Sequence, residues 1–237
     1  MRITARNDGA LTGDRAGRGG PAAVAAPRAV LWDLDGTLAD SREFHWRSWG
    51  DALAREGVHI TKDDFLATFG QRNPEILTRW LGGYDAARIA RIGDAKEASY
   101  RSMLEAEGLD PLPGAAEWVR ALHAAGWRQA IASSAPRLNV EVMRRVLGFA
   151  GVIEDYVAAE DVRRGKPDPE VFLTAAARLG VPPARCIVVE DAAAGIEAAR
   201  RGGMRCIGVG DPAVAGADVY VTSLADLPPG AFEDLLG

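Results

Sequence analysis

The sequence predicts an α/β fold, a doubly wound parallel sheet whose first strand is followed at once by an inserted block of helices. Two observations carry that prediction. Short apolar runs at 29–32 (AVLW), around 127–132, at 186–189 (CIVV) and at 206–209 (CIGV) read as buried strands, and helical stretches separate the later ones. Between the first run and the second, residues 43–108 carry helical patterns and no convincing strand.

The elements follow in order. Residues 1–27, rich in Gly, Arg and Ala and without a sustained period, read as a disordered extension. The run Ala29–Trp32 breaks into Asp33-Leu34-Asp35-Gly36-Thr37, so alternation aims Asp33 and Asp35 the same way as the strand ends. A helix is expected from Ser41, as its cap, to about Gly57, and a second near Thr61, where Asp64 completes a capping-box spacing. Helices are expected again towards Trp80 and from Asp85 to Glu107, and Gly108–Gly114 closes the block. Beyond it the chain alternates: helix 114–125, strand 127–132, helix 137–147, a short strand near 156–159, helix 169–179, strand 185–189, helix 193–201, and strands at 204–209 and 218–221.

Composition bounds the function. The 237 residues are 48% apolar and 26% charged, as in an aqueous globular protein, and the formal charge of −5 gives no general reason to expect nucleic acid. No apolar run approaches the length of a bilayer span, and no secretory signal is visible, so a cytoplasmic protein without membrane contact is expected. Cys186 and Cys206 read as buried strand residues rather than a disulfide or a metal pair. Lysine is scarce (Lys62, Lys96 and Lys166 alone), so the setting of each matters.

Open α/β sheets bind ligands beyond the carboxyl ends of their strands, and the polar motifs fall there. Asp33 and Asp35 end the first strand, Ser133-Ser134 the second, and Glu190-Asp191 the run CIVV; Gly165-Lys166-Pro167-Asp168-Pro169 opens a helix. Each has a plainer reading alone: Ser133 as a cap, Lys166 as an exposed turn lysine, Glu190-Asp191 as a helix-capping pair. Two carboxylates side by side at the end of a buried strand repel each other unless a cation or a shared proton relieves them. That makes a reaction centre the better reading.

The stretches DLDGTLADSREFHWRSW, IASSAPRLN, GKPDPEVF and EDAAAGIEAA, in this order, resemble the four motifs of the haloacid dehalogenase superfamily of phosphatases and phosphomutases. The resemblance covers nearly all of residues 28–223 and is closest to the beta-phosphoglucomutase-like branch. It implies a Rossmann-like core of residues 28–42 and 112–237, a helical cap of residues 43–111, and a Mg²⁺-dependent phosphatase of a small phosphorylated metabolite, with a sugar phosphate foremost. A phosphomutase is the alternative, and a catalytically silent sugar-phosphate sensor a third reading. No obligate protein partner is implied.

In that chemistry Asp33 attacks phosphorus and Asp35 acts as acid and then base. Asp33, the backbone carbonyl of Asp35, and Asp191 with or without Glu190 form an oxygen-rich site suited to Mg²⁺. Ser133, Lys166 and the backbone at Gly36 and Thr37 meet phosphoryl oxygens. His45 couples the cap to Asp35, while Ser134, Arg72 and Arg137 are candidate substrate contacts. Three departures weaken the mutase: Ala135-Pro136-Arg137 stands where mutases offer a Ser-Lys-Asn type run, Ala192 replaces a common Ser, and Arg72 sits one place nearer its Gly.

Overall fold

The computed structural model describes residues 26–83 and 85–237. Six strands form one parallel sheet: β1 (Ala29–Trp32), β2 (Arg128–Ala132), β3 (Asp155–Val157), β4 (Cys186–Glu190), β5 (Arg205–Val209) and β6 (Val219–Val221). Their order across the sheet is β3-β2-β1-β4-β5-β6, so β1 lies inside and the winding reverses beside it. All four residues of β1 and all five of β4 are buried, as strands covered on both faces must be.

Alternation along the strands divides the core. Val30, Trp32, Ile131, Ile187 and Val189 face one layer, completed by α5 (Ala115–Ala124), α6 (Arg137–Val146) and α9 (Ala231–Leu236). Ala29, Leu31, Ala130, Val188 and Cys206 face the other, under α7 (Glu170–Leu179) and α8 (Ala193–Arg201). Both cysteines are buried and unpaired on β4 and β5.

Between β1 and α5 run four helices: α1 (Arg42–Ala54), α2 (Lys62–Leu66), α3 (Asn73–Leu81) and α4 (Ala86–Glu107). They carry an apolar cluster of their own, with Trp49, Leu53, Phe65, Ile76, Leu77 and Ile92 buried in it. The Thr61–Asp64 capping box at the start of α2 is present as expected. Ser41 is different: it precedes α1, but its side chain makes no capping bond and instead donates to Asp35 Oδ1. The helix following β6, α9, was not anticipated. Of the expected extension 1–27, residues 1–25 lie outside the described residues, while the carbonyls of Ala26 and Pro27 accept from Arg185. No described helix is long and apolar enough to cross a membrane.

Candidate active site

Register brings the polar strand ends together. Trp32 pairs with Ile131 on one side and with Val189 on the other, so the next residues (Asp33, the Ala132-Ser133 pair and Glu190) emerge side by side. Asp33 N–H donates to Val189 O at 2.9 Å and Ser133 N–H to Val157 O at 3.0 Å, which fixes both backbones. Above them is a cavity of about 620 Å³. Its floor is the strand ends and its roof the helical block, with Trp49, Phe65, Phe69, Gln71, Arg72 and Ile76 among the roof residues.

Asp33 and Glu190 are buried, and Lys166 Nζ donates to both, at 2.5 Å and 2.7 Å. Burial works against the Lys166 ammonium, but the two carboxylates outweigh it and raise its pKa. Asp33, Glu190 and Asp191 can each offer an oxygen within 4.8 Å of the others. Burial pushes Glu190 up to about 8 and Asp191 up to about 7, with the Asp33 charge adding to both. Burial raises Asp33 as well, against the pull of Lys166. Three carboxylates with one ammonium are short of positive charge, and an all-oxygen donor set suits a hard divalent ion such as Mg²⁺. Space for the cluster comes from two glycines: a Cβ on Gly36 would lie 2.0 Å from Asp191 Oδ2, and one on Gly195 would lie 2.1 Å from Glu190 Cδ.

Asp35 is set differently. It accepts from Ser41, and His45 Nε2 lies 3.6 Å from its Oδ1. Burial opposes the charged form, yet His45 and Ser41 outweigh it and hold Asp35 below its ordinary value. Behind His45, Lys96 Nζ stands 2.7 Å from Nδ1, and Tyr100 stacks on the ring at 4.2 Å. Burial, then the Lys96 charge, depresses the His45 pKa. Sequence reasoning gave Lys96 no role. Its signal was present: Ile92, Lys96, Tyr100 and Leu104 recur every four residues on α4, so one lysine interrupts an apolar stripe.

The remaining expected residues divide. Ser133 lines the cavity, where its Oγ accepts from Ala135 N–H at 3.0 Å and, among the described residues, its own O–H stays available as a donor. Ser134, His45 and Arg72 also line it. Arg72 reaches across from the helical block to the loop before Lys166, 3.5 Å from where a Gly165 Cβ would stand. Arg137 does not reach the cavity: its guanidinium pairs with Asp161 at 2.6 Å, beside Tyr156. Gly36 N–H is committed to Ala39 O at 2.8 Å, so this glycine makes room for Asp191 rather than meeting a ligand. Thr37 is fully buried outside the cavity lining, and its hydroxyl has no partner among the described residues.

Comparison with known proteins bears on this arrangement. The family model described as haloacid dehalogenase-like hydrolase matches residues 27–203. Validoxylamine A 7'-phosphate phosphatase of Streptomyces hygroscopicus subsp. limoneus is 32% identical, over 84% of this chain and 95% of its own. Beta-phosphoglucomutase of Bacillus subtilis (strain 168) is 33% identical, over 84% and 91%. The crystal structure of CbbY from Rhodobacter sphaeroides in complex with phosphate superimposes with a TM-score of 0.79 at 28% identity, over 87% of this chain and 99% of that one. The chain spans 18% of the length of a longer relative, Protein SUPPRESSOR OF QUENCHING 1, chloroplastic, of Arabidopsis thaliana, at 35% identity. With the motif order, the strand-end cluster and these matches in agreement, the chain belongs to the haloacid dehalogenase-like hydrolases.

Proposed function

We propose that the protein is a Mg²⁺-dependent phosphatase of a small phosphorylated metabolite, a sugar phosphate foremost, acting through an aspartyl phosphate on Asp33. The observation that supports this most is the pairing of two aspartates in opposite settings. Asp33 lies in the carboxylate cluster against Lys166, and Asp35 stands apart from that cluster, held by Ser41 and His45. In this reading Asp33 attacks phosphorus. Asp35 handles the proton of the leaving oxygen and then of the attacking water.

Lys166, in contact with Asp33, and the Ser133 hydroxyl, on the cavity lining, would hold phosphoryl oxygens against Asp33. Asp33, Asp191, Glu190 and the Asp35 carbonyl would hold the ion. Bound there, Mg²⁺ would neutralise charge on the phosphoryl oxygens and keep Asp33 ionised. Helices α1–α4, which apart from Arg42 at the start of α1 lie in the expected cap of residues 43–111, would cover the ester and exclude bulk water while the leaving group departs. A cytoplasmic location belongs to the same reading.

A relative that is a mutase keeps phosphomutase as the alternative. Two features favour hydrolysis. Ala135 and Pro136 line the core side of the cavity without an anion ligand, and Arg137 is spent on Asp161. A second phosphate would meet few donors on that wall.

The test is phosphate release from a panel of sugar and nucleotide monophosphates, with Mg²⁺ and with EDTA, alongside an assay for isomerised sugar phosphate. Metal-dependent release is expected, and Asp33→Asn should keep the fold and lose turnover. Isomerised product without free phosphate would favour the mutase. Metal-dependent turnover by Asp33→Asn would sink the nucleophile assignment.

A further inference from the structure

The polar groups behind Asp35 do not stop at Lys96. Glu97, the next residue on α4, is buried and accepts three side-chain hydrogen bonds. Its Oε1 takes one from Lys96 Nζ at 2.9 Å and one from Asn73 Nδ2 at 2.6 Å; its Oε2 takes one from Asn139 Nδ2 at 2.5 Å. Asn139 is fully buried on α6, which packs on the sheet, and its Oδ1 accepts from Arg101 of α4 at 3.0 Å. Asn73 begins α3, next to Arg72 at the cavity roof. One carboxylate therefore joins the roof, α4 and the sheet unit.

The chemistry of the donors gives this junction a consequence. An ammonium only donates, so a charged Lys96 at 2.7 Å makes His45 Nδ1 the acceptor. The imidazole proton then sits on Nε2, the nitrogen that faces Asp35. A buried ammonium needs an anion beside it, and the carboxylate paired with Lys96 is Glu97, at 2.9 Å. Burial pulls the Lys96 pKa down and Glu97 opposes it, while Lys96, Asn139 and Asn73 together hold Glu97 ionised against its own burial.

We infer that Glu97 is a positioning residue for Asp35. Through Lys96 it fixes the His45 tautomer that faces Asp35, and through Asn139 it makes that setting depend on the helical block being seated on the sheet. The inference rests on the phosphatase reading for its kinetic consequence, but not for its structural one.

Two measurements test it. The chain has three histidines, so ¹⁵N-histidine NMR resolves His45 from His59 and His123. In the wild type, His45 should carry its proton on Nε2; in Glu97→Gln it should populate both tautomers. The second measurement compares an alkyl ester, a sugar phosphate, with 4-nitrophenyl phosphate, whose leaving group needs no proton. General acid catalysis is worth roughly 10²–10⁴-fold, so Glu97→Gln should lower kcat/KM on the alkyl ester, which reports only the steps up to departure of the leaving group, by about tenfold or more. By the same measure the aryl ester should lose less than about threefold, because its leaving group needs no proton and the later proton transfer from water, common to both esters, does not enter kcat/KM. A counter-ion that merely supported the fold would slow both esters alike. Equal losses on the two esters, or a His45 tautomer that Glu97→Gln leaves unchanged, would overturn the inference. If Glu97→Gln fails to fold, Asn139→Ala, which keeps the Lys96–Glu97 pair and cuts its tie to α6, carries the same comparison. A wild type that hydrolyses neither ester defeats the phosphatase reading instead, and the tautomer measurement then decides the role of Glu97 alone.

Discussion

Gly36 and Gly195 show how much of this site is decided by the size of single residues. Gly36 has φ of +91° and lies against the Asp191 carboxylate, where a Cβ would overlap its Oδ2. Gly36→Ala should therefore strain the turn and displace Asp191. The expected result is a fall in Mg²⁺ affinity of roughly tenfold or more, by titration calorimetry, with the fold retained. Unchanged affinity would show that Asp191 is not part of the ion's site. Ser41 and Lys96 teach the complementary lesson. Residue type and position made Ser41 a helix cap, yet its hydroxyl serves Asp35, because the chain leaving β1 turns back far enough to bring the two together. Lys96 carried a signal in its place on an apolar stripe, but nothing in the sequence named His45 and Glu97 as its partners, 51 residues and one residue away. Arg137 was the opposite case. A cation next to a strand-end motif suggested a ligand contact, and the fold gives it Asp161 instead.

At the scale of elements, strands and long helices were legible because their periods are regular; most ends fell within a residue or two of expectation, while α1 stops at Ala54, three residues before the expected Gly57. Strand β4 extends to Glu190, one residue beyond the reading, so one carboxylate of the cluster is held in the ladder itself. The short α9 escaped because its AFEDLL pattern is too brief to carry a period. Its reason for existing is tertiary. Phe232 is fully buried and meets Trp118 at 5.1 Å and Trp32 and Trp127 at 6.0 Å each, closing the core face behind β1. Phe232→Ala should cost about 3–5 kcal/mol, read from the urea midpoint, as large-to-small changes in packed cores do. A loss below about 1 kcal/mol would mean that α9 is not integral to the core. Because Trp32 adjoins Asp33 in sequence, turnover is expected to weaken with it.

Across the whole molecule, folding gathers carboxylates that the unfolded chain keeps apart, and stability must depend on pH in consequence. Glu190 goes from an ordinary 4.5 to about 8, and Asp191 from 3.8 to about 7. Without a cation, the fold holds protons that the unfolded chain has released. The contribution of this pair is therefore full below the ordinary values and is lost as pH rises through the raised ones. Asp35 and Glu97 are lowered, so their contributions are lost only on the acid side of their ordinary range. Protons compete with Mg²⁺ for Glu190 and Asp191, so the Mg²⁺-induced rise in unfolding midpoint should be larger at pH 8 than at pH 6.5. Equal rises at the two pH values would count against this cluster as the ion's site. The sequence by itself determined the sheet, the inserted helices, the strand-end residues Asp33, Asp35, Ser133, Glu190 and Asp191 and the loop residue Lys166, because apolar periodicity sets strands and an open parallel sheet presents its polar groups at their carboxyl ends. Tertiary structure alone decided which of those groups share charge, which cations are already spent, and that Glu97 and Asn139 stand behind Asp35. Those are contacts between residues far apart in the chain, and only the packing of helices on the sheet sets their distances.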